Sequence, residues 1–306
     1  MKLFLTGATG AIGPATLQEL VGAGHDVRAV ARSEAKTAAV RAAGGDPVAV
    51  DLFDGDAVKA AVAGCDGVLH LATHVPPIRK MARRKAWDEH NRLRTTATAL
   101  LVDAALSAGA GAFVKESVTF VYPDSGDRWI DETTPPDDSI EMLRPTMEGE
   151  RLVERITAEG GRGVVLRFGL FYGPDSRGTD ETLRLARLRM STIAGRPNGY
   201  MSSIHTDDVA TSVVDALDAP SGVYNVCDDE PLTRREYLDA FSDAFGLRRL
   251  RPVPAPVVKT VAGSAAAAIT SSQRVSNRKL REAAGWQPKY PSAREGWRQI
   301  AAARRA

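Results

Sequence analysis

Cysteine is scarce: Cys65 and Cys227 are the only two in 306 residues. Two thiols cannot build a disulfide framework and lack metal-type spacing, so the expectation is a cytoplasmic chain without a metal. Aromatic residues amount to 6%. An excess of charge is also missing, with 40 Lys and Arg against 38 Asp and Glu, which argues against nucleic acid as a partner. The basic stretch Arg298 to Arg305 reads as a solvated helix end. No run is long and apolar enough for a membrane span: Val257 to Thr270 is interrupted by Lys259 and is expected to form a packed or pocket-lining helix. The first residues do not read as a signal peptide. What remains is ordinary globular composition with room for one large α/β domain, or one domain with a smaller lobe.

The informative stretch is the first thirteen residues. Lys2 to Leu5 read as a buried strand, and Thr6-Gly7-Ala8-Thr9-Gly10-Ala11-Ile12-Gly13 as a glycine turn that opens a helix with Ile12, Leu17, Leu20 and Val21 on one face. Glycines spaced three apart at a strand-to-helix turn form a cradle for a dinucleotide pyrophosphate. Gly7 allows the tight turn, Gly10 the approach of the phosphates, and Gly13 the close packing of helix on strand.

Strand-like runs follow at Val27 to Ala31, Pro47 to Asp51, Gly67 to Ala72, Ala112 to Val118 and Gly163 to Phe168. Between them lie helical patterns at Ser33 to Ala43, Asp54 to Val62, around His90 to Ala108, and Met147 to Glu159. Such alternation predicts a Rossmann-type α/β fold, a doubly wound parallel sheet that binds ligands at the carboxyl ends of its strands. Pro123 to Asp138 reads as a surface loop. From Gly173 the alternation weakens, which predicts a smaller C-terminal substrate lobe. Residues 1–172 are expected to form the NADP-binding Rossmann domain, and residues 173–306 mainly the substrate lobe, with some segments returning to the first domain. The second strand ends in Ala31-Arg32-Ser33, where a cofactor with a free ribose 2′-hydroxyl meets an acidic residue. Arginine suits a 2′-phosphate and so NADP(H). Asp51 and Leu52, after the third strand, are placed for the adenine edge.

These features resemble the extended short-chain dehydrogenase/reductase family. Its pattern recurs in His70-Leu71-Ala72, Asn91 before a long helix, Leu166-Arg167-Phe168-Gly169-Leu170-Phe171-Tyr172-Gly173-Pro174 and Ile204-His205-Thr206-Asp207-Asp208-Val209-Ala210. Gly222-Val223-Tyr224-Asn225-Val226 and Gly285-Trp286-Gln287-Pro288 also fit. The resemblance implies a seven-stranded parallel sheet. It also implies that NADP(H) is held by Gly7, Thr9, Gly10, Ala11, Ile12, Gly13, Arg32, Ser33, Asp51, Leu52, Leu71, Ala72, Thr73, Asn91, Ser117, Phe168 and Leu170. His74, Thr119, Tyr122, Phe171 and Tyr200 are expected to line the substrate. His205 is expected to brace the lobe, and Met81 to Lys85 with Trp87 to form a lid segment. The helices around His90 to Ala108 and Met147 to Glu159 form dimer bundles in many relatives, so a monomer or homodimer is expected.

The resemblance fails where the chemistry belongs. The family uses a Ser or Thr after the fifth strand, a Tyr that moves the proton, and a Lys four residues later that lowers the Tyr pKa. Here those positions read Val118, Met142 and Thr146, and no Tyr with Lys at four lies between Ser117 and Gly160. Ser117 and Thr119 remain as hydroxyl candidates on one face of the strand; the catalytic residues are otherwise unknown. This degenerate pattern resembles angucyclinone ketoreductases of aromatic polyketide pathways, the simocyclinone type among them. It implies an NADPH-dependent ketoreductase acting on an aromatic, apolar small molecule whose own phenol supplies the proton. A dinucleotide-binding regulator or subunit, and a nucleotide-sugar epimerase or dehydratase, are the alternatives.

Overall fold

The computed structural model describes residues 1–76, 80–81, 83–174 and 177–305. Its first part alternates β1 (Lys2–Thr6), α1 (Gly13–Gly22), β2 (Asp26–Val30), α2 (Glu34–Ala42), β3 (Asp46–Val48), α3 (Gly55–Val62) and β4 (Gly67–His70). Then come α4 (Asp88–Arg92), a π-helical turn (Leu93–Ala97), α5 (Thr98–Ala108), β5 (Ala112–Val118), β6 (Trp129–Ile130), α6 (Arg144–Ala158) and β7 (Arg162–Phe168). The sequence predicts one helix from His90 to Ala108; the structure breaks it with the π turn. There the Thr95 hydroxyl donates to Asn91 O at 3.0 Å and the Thr98 hydroxyl to Arg94 O at 2.8 Å, local competition of the kind that distorts the ladder.

The second part runs β8 (Leu170–Tyr172), α7 (Arg177–Arg187), β9 (Tyr200–Met201), β10 (Ser203–His205), α8 (Thr206–Asp215), β11 (Gly222–Val226) and β12 (Leu232–Thr233). It continues with α9 (Arg234–Phe245), α10 (Ala255–Ala262), α11 (Ala266–Thr270), β13 (Arg274–Val275), α12 (Arg278–Ala284) and α13 (Ala293–Ala303). The apolar run Val257 to Thr270 is thus two short helices around Gly263, whose φ of 57° ends the first of them.

Seven strands form one parallel sheet in the order β11-β7-β5-β4-β1-β2-β3. Strand order reverses between β1 and β4, so a crevice opens at their carboxyl ends. Side-chain alternation splits the core between the two faces: Leu3, Leu5, Val164 and Leu166 pack with Leu17, Val209 and Val213, while Phe4, Phe113 and Val165 pack with Val58, Leu101 and Val153. The C-terminal part has its own core of Tyr172, Tyr237, Phe241 and Trp297.

Candidate active site

The glycine turn sits at the mouth of that crevice. A Cβ on Gly7, whose φ is 82°, would lie 2.5 Å from the Leu71 carbonyl carbon, so β1 and β4 approach only because this residue is glycine. Gly10 is exposed, and its missing Cβ would meet only Gly7 O at 3.2 Å. Helix α1 begins at Gly13, and its N-cap residue, Ile12, supplies no side-chain cap. Open backbone at Gly10 and uncapped first-turn N–H groups fit a dinucleotide phosphate. Thr9 and Ala11 lie on the same rim, and Ile12 packs into the core. Arg32 is exposed at the end of β2 and has no ion-pair partner among the described residues. The Ser33 hydroxyl caps α2 by accepting from Lys36 N–H, and Asp51 accepts from Phe53 N–H at 3.0 Å; Leu52 is buried.

Behind the turn a directed chain ties three elements together. Ala72 N–H donates to Thr6 Oγ1 at 3.3 Å, the Thr6 hydroxyl to His70 Nδ1 at 2.7 Å, and His70 Nε2 to Leu93 O at 3.1 Å. Burial, with the Lys115 charge beside it, keeps His70 neutral well below the usual imidazole range; this residue braces the site. Leu71 is buried, while exposed Thr73 pairs its hydroxyl with His90 Nδ1 at 3.2 Å. Burial first, then Arg94 and Lys115, hold His90 at about 3. Unfolded histidine titrates near 6.5, so His90 contributes stability above that pH that is lost as pH falls towards 3. At pH 5 the loss is about 2 kcal/mol. Urea unfolding at pH 7.5 and pH 5 checks this, and His90→Gln is expected to shrink the difference; an equal difference in both proteins would rule His90 out as its source.

Val118 ends β5, Met142 lies in the 3₁₀ turn Glu141–Leu143, and Thr146 in the first turn of α6. Val118, Phe120 and Met142 are half-buried members of one apolar cluster with Val121, Leu143 and Ala268. Met142 also touches a second, with Ala194, Ala265, Ala266 and Ile269. Met142, expected from the resemblance to stand where the family has a tyrosine, is therefore part of an apolar wall closed by α11. Among the described residues the Thr146 hydroxyl and Asn91 Oδ1 are buried without partners, two polar atoms left for a ligand or water in this region.

Of the two hydroxyl candidates, Ser117 is committed elsewhere. Ser117 is enclosed and donates to Glu150 Oε1, which also accepts from Arg167 Nε at 2.9 Å, while Glu150 Oε2 accepts from Arg167 Nη2 at 2.6 Å. Thr119 does not share a strand face with Ser117, contrary to the sequence reading: the chain leaves β5 at Val118 and turns into the 3₁₀ segment Thr119–Val121. Tyr122 lines no open surface; it is fully buried and donates to Asn225 Oδ1 at 2.8 Å, with its phenol pushed up to about 12 by burial. Phe168 is enclosed, 5.4 Å from the half-buried Phe171 ring. Leu170 and Tyr200 are half-buried, Tyr200 under the Arg274 guanidinium at 4.9 Å, and exposed His74 faces Glu89 at 3.7 Å. His205 accepts from Asp207 N–H and stacks on Tyr290 at 4.2 Å. Part of the expected lid, Ala82, lies outside the described residues; Trp87 Nε1 donates to Met81 O at 2.8 Å.

Two buried charged features escape the sequence reading: the Arg94–Glu116 pair, with Nη2 to Oε1 at 3.0 Å, and Lys115. Their signal was the Lys-Glu dipeptide inside an otherwise apolar strand. Among the described residues no group of three or more His, Cys, Asp or Glu is placed to hold a metal, and no helix is long and apolar enough to cross a membrane.

Known proteins share this architecture. The chain is 32% identical over 310 residues to a Streptomyces 3-diazoavenalumate denitrifying reductase, covering 97% of this chain and 99% of that one. It is 28% identical over 259 residues to a Stigmatella aurantiaca 4-hydroxy-2-methyl-3-oxo-4-farnesyl-3,4-dihydroquinoline-1-oxide ketoreductase, covering 81% and 74%. The crystal structure of human epimerase family protein SDR39U1 with NADPH superposes with a TM-score of 0.84 at 26% identity, over 99% of both chains. Residues 3–227 match the NAD dependent epimerase/dehydratase family, and this chain, an NAD(P)-dependent Rossmann protein of the oxidoreductase type, belongs to it.

Proposed function

We propose that this chain is an NADPH-dependent reductase that delivers hydride to a flat, aromatic, apolar small molecule without a tyrosine acid. The observation that carries the reading is a contrast along the carboxyl ends of the sheet: an open phosphate cradle at Gly10 after β1, and after β5 a wall of Val118, Phe120 and Met142 that offers no ionisable proton. Hydride transfer needs the acceptor carbon held against the nicotinamide, which such a wall does by shape. With a ketone, hydride adds to the carbonyl carbon and the alkoxide oxygen takes the proton of a neighbouring phenol on the same substrate. The immediate products are NADP⁺ and an alcohol that carries a phenolate, which then takes a proton from solvent. The Stigmatella relative's name supports this ketoreductase reading.

The Streptomyces relative's name favours a second acceptor on the same principle. An aryl diazonium carbon that receives hydride loses its C–N bond, releases N₂ and becomes C–H, so no proton has to be supplied. A sugar epimerase must instead remove a proton from an unactivated alcohol, and nothing on the Val118–Met142 wall accepts one.

The test is NADPH consumption with product identification across 2-hydroxyaryl ketones, aryl diazonium salts and nucleotide sugars. Turnover of either aromatic class supports the reading; product from a nucleotide sugar overturns it; binding without turnover of any acceptor identifies a regulator. Arg32→Ala is expected to weaken NADPH binding by about tenfold to a hundredfold through loss of the 2′-phosphate contact, and NADH binding by no more than about twofold. Equal losses for both nucleotides would remove Arg32 from the phosphate site.

A further inference from the structure

Lys115 places an ammonium group inside the sheet. It is fully buried, and among the described residues the one hydrogen bond of its ammonium is a long one, 3.3 Å to Glu116 O. Glu116 O is already taken by Arg94 Nη1 at 2.8 Å. A buried ammonium so poorly matched costs stability, and replacing it with an apolar chain of similar shape is commonly neutral or stabilising. The fold therefore has no need of this charge.

Its placement suggests what does. Cross-strand register puts Thr6, His70 and Lys115 in one row at the carboxyl end of the sheet. Ser117 is on the same face of β5, two residues or about 7 Å further along. The bond to Glu116 O shows that the side chain leans up the strand, towards the site. On the other side Lys115 lies against Gly149, where a Cβ would come within 2.7 Å of its Cε. Gly149 is three residues, about 4.5 Å, along α6 from Thr146. A glycine inside a helix is itself unfavourable; here it lets α6 approach the Arg94 carbonyl of the π turn most closely, and the lysine stem packs beside that contact.

We propose that Lys115 is a positioning residue: from the sheet side it supplies the positive charge beneath the hydride-transfer site that α6, with Thr146, does not carry. The assignment rests on the dinucleotide reading above. The charge acts through the floor at Ser117 and Thr146, favouring the anionic dinucleotide and the negative charge that develops on a carbonyl acceptor. The groups around it are His70 on β4, His90 on α4, Arg94 on the π turn, Glu116 on β5, Glu150 on α6 and Arg167 on β7. Burial, reinforced by Arg94 and opposed by Glu116 and Glu150, brings the ammonium down to about 7. Its charge is present below that pH and fades above it.

Lys115→Met separates function from structure. Melting temperature is measured without nucleotide, and affinities for NADPH and NADH at about pH 6 and about pH 8.5, on either side of the lysine's titration. NADH has no phosphate titrating in this range. Wild-type protein is expected to bind both nucleotides about tenfold more weakly at the higher pH. The variant is expected to melt at the same temperature or higher, to bind about tenfold more weakly at the lower pH, and to show a flat profile. A lower melting temperature with affinity and pH profile intact would make the lysine structural and overturn the assignment. A flat wild-type profile overturns it without any variant. Failure of wild-type protein to bind either nucleotide overturns the dinucleotide reading and this assignment with it.

Discussion

Gly13→Ala is expected to abolish dinucleotide binding and to unfold the start of α1 from the sheet. A Cβ at this position would lie 2.1 Å from Gly7 O and 2.4 Å from the Ala8 carbonyl carbon. Both are backbone atoms of the turn that shapes the cradle, so no side-chain rotation relieves the clash. Overpacking against backbone costs about 3 kcal/mol, and the turn must open to accommodate it, which moves the N–H groups that would face the phosphates. A loss of NADPH affinity beyond about a hundredfold follows if two such contacts are misplaced. Gly10→Ala is the control, since the added methyl meets only Gly7 O at 3.2 Å. It is expected to keep stability within about 1 kcal/mol while it weakens binding, because its methyl occupies the side from which phosphate approaches. Urea unfolding and tryptophan quenching by NADPH, run on both variants, distinguish the two glycines. Equal stability of the two proteins would show that Gly13 does not hold helix to strand.

Glu150→Ala carries the second large effect, on stability. Glu150 accepts from the Ser117 hydroxyl and from two nitrogens of Arg167, and the Glu150 and Arg167 side chains are 8% and 5% exposed. The carboxylate raises the Arg167 pKa further, so the guanidinium stays charged and, in the variant, unpaired beside the Tyr122 ring at 4.9 Å. Leaving a buried charge without its partner costs about 3–5 kcal/mol. Removing both charges, as Glu150→Met with Arg167→Met, is expected to recover most of that loss. Denaturant midpoints of the two singles and the double give the coupling; strictly additive losses would mean that the pair contributes no interaction of its own. Because Ser117 is anchored by the same carboxylate, the cycle also reports how the site floor is held.

The strand-turn-helix start, the parallel sheet and β5 from Ala112 to Val118 were legible because each depends on local pattern. Hydrophobic runs make buried strands, and glycine is needed wherever backbone approaches backbone. The exposed place of Arg32 was legible for the same reason, since it follows from the strand that ends before it. The break at Leu93–Ala97 was not, because threonine hydroxyls choose between solvent and a carbonyl only once the helix is packed. Nor were the roles of Tyr122 and Ser117, which read as site residues by their spacing. Tyr122 is instead tied to Asn225, more than a hundred residues away, and Ser117 to Glu150.

The sequence alone is enough for the glycine turn and for the absence of a Tyr followed four residues later by Lys between Ser117 and Gly160, for these are statements about which residue occupies which place. What packs around Met142 and Thr146 was decided by tertiary structure alone. The wall around Met142 is completed by Ala266 and Ile269, and Lys115 of β5 is buried against Gly149 of α6. Packing between segments distant in the chain has no period or spacing that a sequence can display, and it is such packing that sets the chemistry here.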